Sequence, residues 1–119
     1  MILVDTSTWV DHLRSNSAEL ARALTEGVVL GHPCVLGELA CGNLHGRQNT
    51  LELLRDLPQA VRATDEEALE CIERNKLHGR GIGWIDVQLL ASALLSSARL
   101  WTLDGPLSRE AKRCGVACE

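Results

Sequence analysis

At 119 residues, 45% hydrophobic and with a formal charge of −4, the chain is sized for a single domain over 1–119 that builds its own core. The acidic balance argues against a simple basic clamp on nucleic acid, but it leaves nucleic acid open if the acids hold cations. No apolar run approaches the ~20 residues that span a bilayer, and the N-terminus lacks the basic lead-in of a signal peptide, so a soluble cytoplasmic protein with no membrane contact is expected.

The first stretch, Ile2-Leu3-Val4-Asp5-Thr6-Ser7, is an apolar run without alternation that ends on an acid. It predicts a short strand buried on both faces. Asp5 then falls at the strand's carboxyl end, where open α/β sheets place their sites, though Asp also suits a helix N-cap. Thr6 to Arg14 reads as a helix, and Ser17 caps a second one through Thr25. Val28-Val29-Leu30 is a second strand. Pro33 fits the first position of a helix to about Cys41, and Arg47 to Leu57 carries helical spacing.

Ala60 to Ala63 is a weak third strand. Thr64 and Glu67 have capping-box spacing and open a helix to about Leu77. Gly79, Gly81 and Gly83 mark a flexible loop, followed by a helix from about Trp84 to Ser97. Arg99 to Leu103 reads as a strand running into Asp104. Gly105-Pro106 turns into a last helix ending at Gly115, and Val116-Ala117 can add an edge strand. Strands alternating with helices imply an α/β fold, with a central parallel sheet and helices on both faces.

Five cysteines, Cys34, Cys41, Cys71, Cys114 and Cys118, include no C-x-x-C pair, so neither a zinc knuckle nor a redox motif is indicated. The four histidines show no ligand spacing. Asp11, Glu19, Glu70 and Glu110 each have an arginine three or four positions on, the spacing of a solvated helix face. Asp5, Glu38, Asp86 and Asp104 do not, and each lies among apolar residues. Without these four, acids and bases number 12 each. Caps and turns could use any one of them alone.

Four converging carboxylates would repel unless a divalent ion offset their charge. An oxygen-only set suits Mg²⁺ or Mn²⁺, and a metal pair can activate water against a phosphodiester.

In order, Val4-Asp5-Thr6-Ser7, then Glu38-Leu39-Ala40-Cys41-Gly42, then Ile85-Asp86-Val87-Gln88 and finally Thr102-Leu103-Asp104 resemble the PIN domain, in particular the VapC-type ribonuclease toxins of toxin–antitoxin pairs. The resemblance implies an α/β/α sandwich with Asp5, Glu38, Asp86 and Asp104 as the catalytic and metal-binding acids. Ser7 and Thr102 resemble the polar residues beside that set. A homodimer and a cognate antitoxin whose tail blocks the site are implied too. The chain departs from the family in lacking Phe and Tyr, which leaves its core to Leu, Val and three Trp.

The activity this predicts is metal-dependent hydrolysis of RNA. Arg47, Arg80 and Arg109 are candidates by position for RNA contacts. Trp9 and Trp84 flank the acidic motifs and could stack bases, though core packing is the expected role of both. The alternatives are a receiver-type signalling domain with a carboxylate Mg²⁺ site, and a non-catalytic partner-binding module on the same fold. A receiver needs a phosphoacceptor Asp ending a middle strand and a Lys ending a late one. Neither is present.

Overall fold

Three short parallel strands organise the chain. In the computed structural model, which describes residues 1–118, β1 (Ile2–Val4) lies between β2 (Val29–Leu30) and β3 (Arg99–Trp101). Leu3 pairs with Leu30 on one side and Leu100 on the other. Leu3 and Val4 are both fully buried. Neighbouring strand residues point to opposite faces, so both faces of the sheet are covered, as an α/β/α sandwich requires.

The covering helices are α1 (Thr6–Ser15), α2 (Ala18–Thr25), α3 (Pro33–Ala40), α4 (Arg47–Asp56), α5 (Asp65–Asn75), α6 (Trp84–Leu95) and α7 (Gly105–Arg113). Their starts follow local chemistry. Ser17 caps α2, and Thr64 with Glu67 forms the reciprocal capping box of α5. In α6 seven consecutive residues, Val87 to Ala93, are buried. A helix apolar all round must sit in the core, so α6 is central and only its ends are wet. Asp86 is in its first turn.

Two expected strands differ. Ala60 to Ala63 forms no ladder, because hydroxyls on or just past α6 take its N–H groups. Val61 N donates to Ser96 Oγ at 2.9 Å and Ala63 N to Ser92 Oγ at 3.3 Å. Only a bridge between Gly31 and Gln59 extends the sheet there. At the other edge, Val116-Ala117 shrinks to a bridge between Leu100 and Ala117. β3 also stops at Trp101, two residues before the expected Leu103. Beyond it, Leu103 N and Asp104 N bond to side-chain hydroxyls instead of a neighbouring strand. The receiver-type alternative fails on the same ground, because no middle strand forms at 60–63 to carry its acceptor.

His32, 2% exposed, clamps α3 to α6. Its Nδ1 accepts from Cys34 N at 3.0 Å, capping α3, so the neutral ring carries its proton on Nε2, which donates to Ser92 Oγ at 3.0 Å. Burial, with Arg62 nearby, holds its pKa below the ordinary histidine value. As pH falls, the unfolded chain therefore takes up this proton before the folded chain does. Urea stability is expected to be unaffected by this group above pH 6.5 and to drop progressively below it. Denaturation at about pH 7.5 and about pH 5 checks this. In His32→Asn the difference between the two should shrink.

Candidate active site

The strand order β2-β1-β3 means that the chain leaves β1 to one side and returns on the other. Such a reversal opens a crevice outside the carboxyl ends of the strands. Asp5 follows β1 directly, and Thr102 to Asp104 follow β3. The acid and the polar segment face one another because the strands beneath them are paired.

Asp5 is 6% exposed and fully engaged. Its Oδ1 accepts from Thr6 N at 2.7 Å, as the cap of α1. Its Oδ2 accepts from Ser7 Oγ at 2.9 Å and from Thr102 Oγ1 at 2.7 Å. The two hydroxyls lie 3.2 Å apart. They in turn accept from Leu103 N and Asp104 N, each at 3.0 Å. Cap and site are therefore the same residue here: one oxygen starts the helix, and the other is aimed by hydroxyls from two strand ends.

The other acids arrive from three helices. Glu38, exposed on α3, accepts from Thr6 Oγ1 at 2.7 Å, which ties it to the residue after Asp5. Asp104 caps α7 by accepting from Leu107 N at 3.0 Å. Asp86 accepts from Gly83 N at 3.2 Å. The Asp86 carboxyl is pushed above the usual carboxylate range, first by burial and then by the charges of Asp5, Asp104 and Glu38, against the opposing Gly83 N–H. The charges of the other three acids thus act on Asp86, while hydrogen bonds tie Glu38 to Thr6 and Thr102 to Asp5.

Among the described residues the ion pairs are Arg74–Glu70, Arg80–Glu110 and Arg113–Glu110. None of the four acids has a basic partner. The chemistry of the donor set, oxygen only and uncompensated, fits a hard divalent ion. Among the described residues, no three His, Cys, Asp or Glu side chains are grouped closely enough to hold a metal ion as they stand. Mg²⁺ does not demand such a group: it keeps several waters and takes one or two carboxylates directly. Asp5 is the fixed member, and Glu38, exposed on α3, is tied beside it through Thr6.

Asp86→Asn keeps an oxygen for the Gly83 N–H and removes the charge that its neighbours oppose. Its melting temperature in EDTA is expected to equal or exceed that of the parent chain. A large drop would show that the carboxylate serves the fold.

The expected surface ion pairs form only in part. Arg74 and Glu70 meet on an exposed face. Among the described residues, Asp11–Arg14 and Glu19–Arg22 do not close. Glu110 is no solvated charge: it is 4% exposed, with Arg113 at 2.8 Å. The spacing located its partner but not its burial, which comes from α7 packing on the end of α5. Arg80 and Arg109 lie together on one recess, whereas Arg47 donates to Ala40 O at 2.7 Å and serves the end of α3. Trp9 is a core residue, as expected. Trp84 is 40% exposed, not packed inside, because it opens α6 before the helix enters the core. Thr6 and His32 were not singled out from sequence. Their signals were modest: a hydroxyl after the cap, and a histidine just before a helix-opening Pro33.

Comparison with known proteins places the chain in a family. The model of the PIN domain matches residues 2–112. Ribonuclease VapC32 of Mycobacterium tuberculosis, from strains CDC 1551/Oshkosh and ATCC 25618/H37Rv, is 44% identical over 118 residues, covering 98% of this chain and 95% of the relative. The crystal structure of FitAcB from Neisseria gonorrhoeae superposes with a TM-score of 0.64 at 21% identity, over 98% of this chain and 95% of that one; at that identity the likeness concerns the fold. With a family match of this extent and a relative of this identity, the chain belongs to the PIN domain family.

Proposed function

We propose that this chain is a divalent-metal-dependent endoribonuclease and the toxin of a toxin–antitoxin pair. One observation carries the reading: Asp5, with no basic partner among the described residues, is held at the sheet's reversal point by the hydroxyls of Ser7 and Thr102, and Glu38 is tied to Thr6 beside it. The name of the 44%-identical relative, a ribonuclease, supports the substrate class.

Asp5, Glu38, Asp86 and Asp104 would hold the ion, Mg²⁺ or Mn²⁺. Bound there, it would supply Lewis-acid activation of water and charge stabilisation at the leaving oxygen of the phosphodiester. The chain's own task is positioning. Ser7 and Thr102 hold the inner oxygen of Asp5 in place. Thr6 restrains Glu38, and the Gly83 N–H restrains Asp86. The Ser7 and Thr102 hydroxyls are committed to Asp5, and the carboxylates would be committed to the ion, which on this reading leaves the attack to water.

An antitoxin that covers the crevice, a homodimer and a cytoplasmic location complete the reading, supported by the resemblance to VapC-type toxins. Among the described residues no helix is long and apolar enough to cross a membrane. The test is cleavage of structured RNAs by the purified chain with Mg²⁺ or Mn²⁺. Cleavage that stops in excess EDTA and returns with added metal is expected. Cleavage indifferent to EDTA would refute the metal assignment.

A further inference from the structure

The loop containing Gly79, Gly81 and Gly83 meets α7 around an open recess of about 440 Å³, lined by His78, Gly79, Arg80, Arg109 and Glu110. None of these belongs to the acidic set, and the recess carries the opposite charge. The buried Glu110 carboxylate receives Arg113 at 2.8 Å and has Arg80 at 3.8 Å. Arg80 Nε also donates to Lys76 O at 3.0 Å. Arg109 is exposed. Two guanidiniums thus flank one buried carboxylate, and Arg109 lines the same recess, on a chain whose net charge is −4. Arg80 is anchored before any ligand arrives, which lowers the ordering cost of binding.

The recess adjoins the acidic crevice through both of its walls. On the loop side, Gly81 packs on Pro106: a Cβ added there would lie 3.7 Å from the proline Cβ. Its φ of +82° is one that glycine adopts without strain. Gly83, two residues on, is bonded to Asp86. On the helix side, Asp104 caps α7, and Arg109 follows five residues later. That is ~7.5 Å along the axis at ~1.5 Å per residue. Without their ion, four carboxylates repel a phosphate backbone, so basic groups next to them add to the attraction that holds a strand in the crevice.

We propose that this recess is a subsite for the RNA strand, holding a backbone phosphate next to the acidic crevice. Arg80 and Arg109 are its cations, and the exposed His78 offers a ring to an unstacked base. The assignment rests on the nuclease reading above and adds to it where the strand leaves the crevice.

The test uses the full chain and a fluorescein-labelled single-stranded RNA of about 20 nucleotides. Anisotropy in EDTA, from about 50 to 200 mM KCl, gives Kd and its salt slope. R109A is expected to weaken binding about tenfold and to flatten the log–log slope by ~0.7, the share of one phosphate on a single strand. Arg109→Lys should recover most of the slope. His78→Ala should weaken binding several-fold without changing the slope. In Mg²⁺, R109A should raise KM in proportion while kcat stays within about twofold.

An unchanged Kd and slope in both R109A and the Arg80→Gln/Arg109→Ala double variant would overturn the subsite. So would failure of the parent chain to bind the RNA, or an effect of R109A confined to capture of an acidic protein partner. Binding is read without metal, so the two proposals fail separately. Arg109-dependent binding without cleavage would sink the nuclease reading alone. Metal-dependent cleavage with an R109A-insensitive Kd and KM would sink only the subsite.

Discussion

Asp5→Asn is expected to lower metal-dependent RNA cleavage by about 10³-fold while leaving a folded chain. Lewis-acid stabilisation of a phosphodiester transition state is worth several kcal/mol, and each ~1.4 kcal/mol is a factor of ten. Asp5 is the acid with the most to lose, because it is buried and both its oxygens are engaged. Asn can still accept from Thr6 N and so still cap α1. It cannot present a charged oxygen between Ser7 and Thr102. Initial rates of the parent and variant chains, with matched circular dichroism melts, check this. Near-parental cleavage in a folded Asp5→Asn would show that the acid is only a cap.

Removing the hydroxyls that aim Asp5 should cost less, though still visibly. Thr102→Val combined with Ser7→Ala leaves the carboxylate in place but strips its Oδ2 of two donors, at 2.7 and 2.9 Å. Partners of metal ligands typically matter by about 10–100-fold in affinity or activity, and that is the loss expected here. It should appear as a higher metal concentration for half-maximal cleavage, recovered partly by excess Mn²⁺. The double variant also releases Leu103 N and Asp104 N, so a modest fall in melting temperature accompanies it. Parental metal dependence would mean that the hydroxyls serve only the end of β3.

The fold was largely legible because its signals are local. Unalternating apolar runs marked the buried strands, and Ser17, Pro33 and Thr64 marked helix starts where the structure has them. The strand expected at 60–63 was not legible as a loop, because what prevents a ladder there is hydroxyls supplied by Ser92 and Ser96, some 30 residues away. The acids could be singled out by their missing basic partners. Their arrangement could not, since it depends on the sheet order and on the packing of α6. The same limit applied to Glu110. Its spacing to Arg113 signalled a surface pair, and only tertiary packing shows it buried under the recess. Trp84 was misjudged for a similar reason: composition favours burial of Trp, but its place as the first residue of α6 leaves it in solvent.

The most direct measurement is a calorimetric titration of Mn²⁺ into the RNA-free chain, beside Asp5→Asn and Asp86→Asn. Saturable binding by the parent, weakened at least about tenfold in each variant, is the predicted result. An isotherm that neither substitution alters, or no binding at all, would contradict a shared cation site and leave a partner-binding module on a nuclease fold.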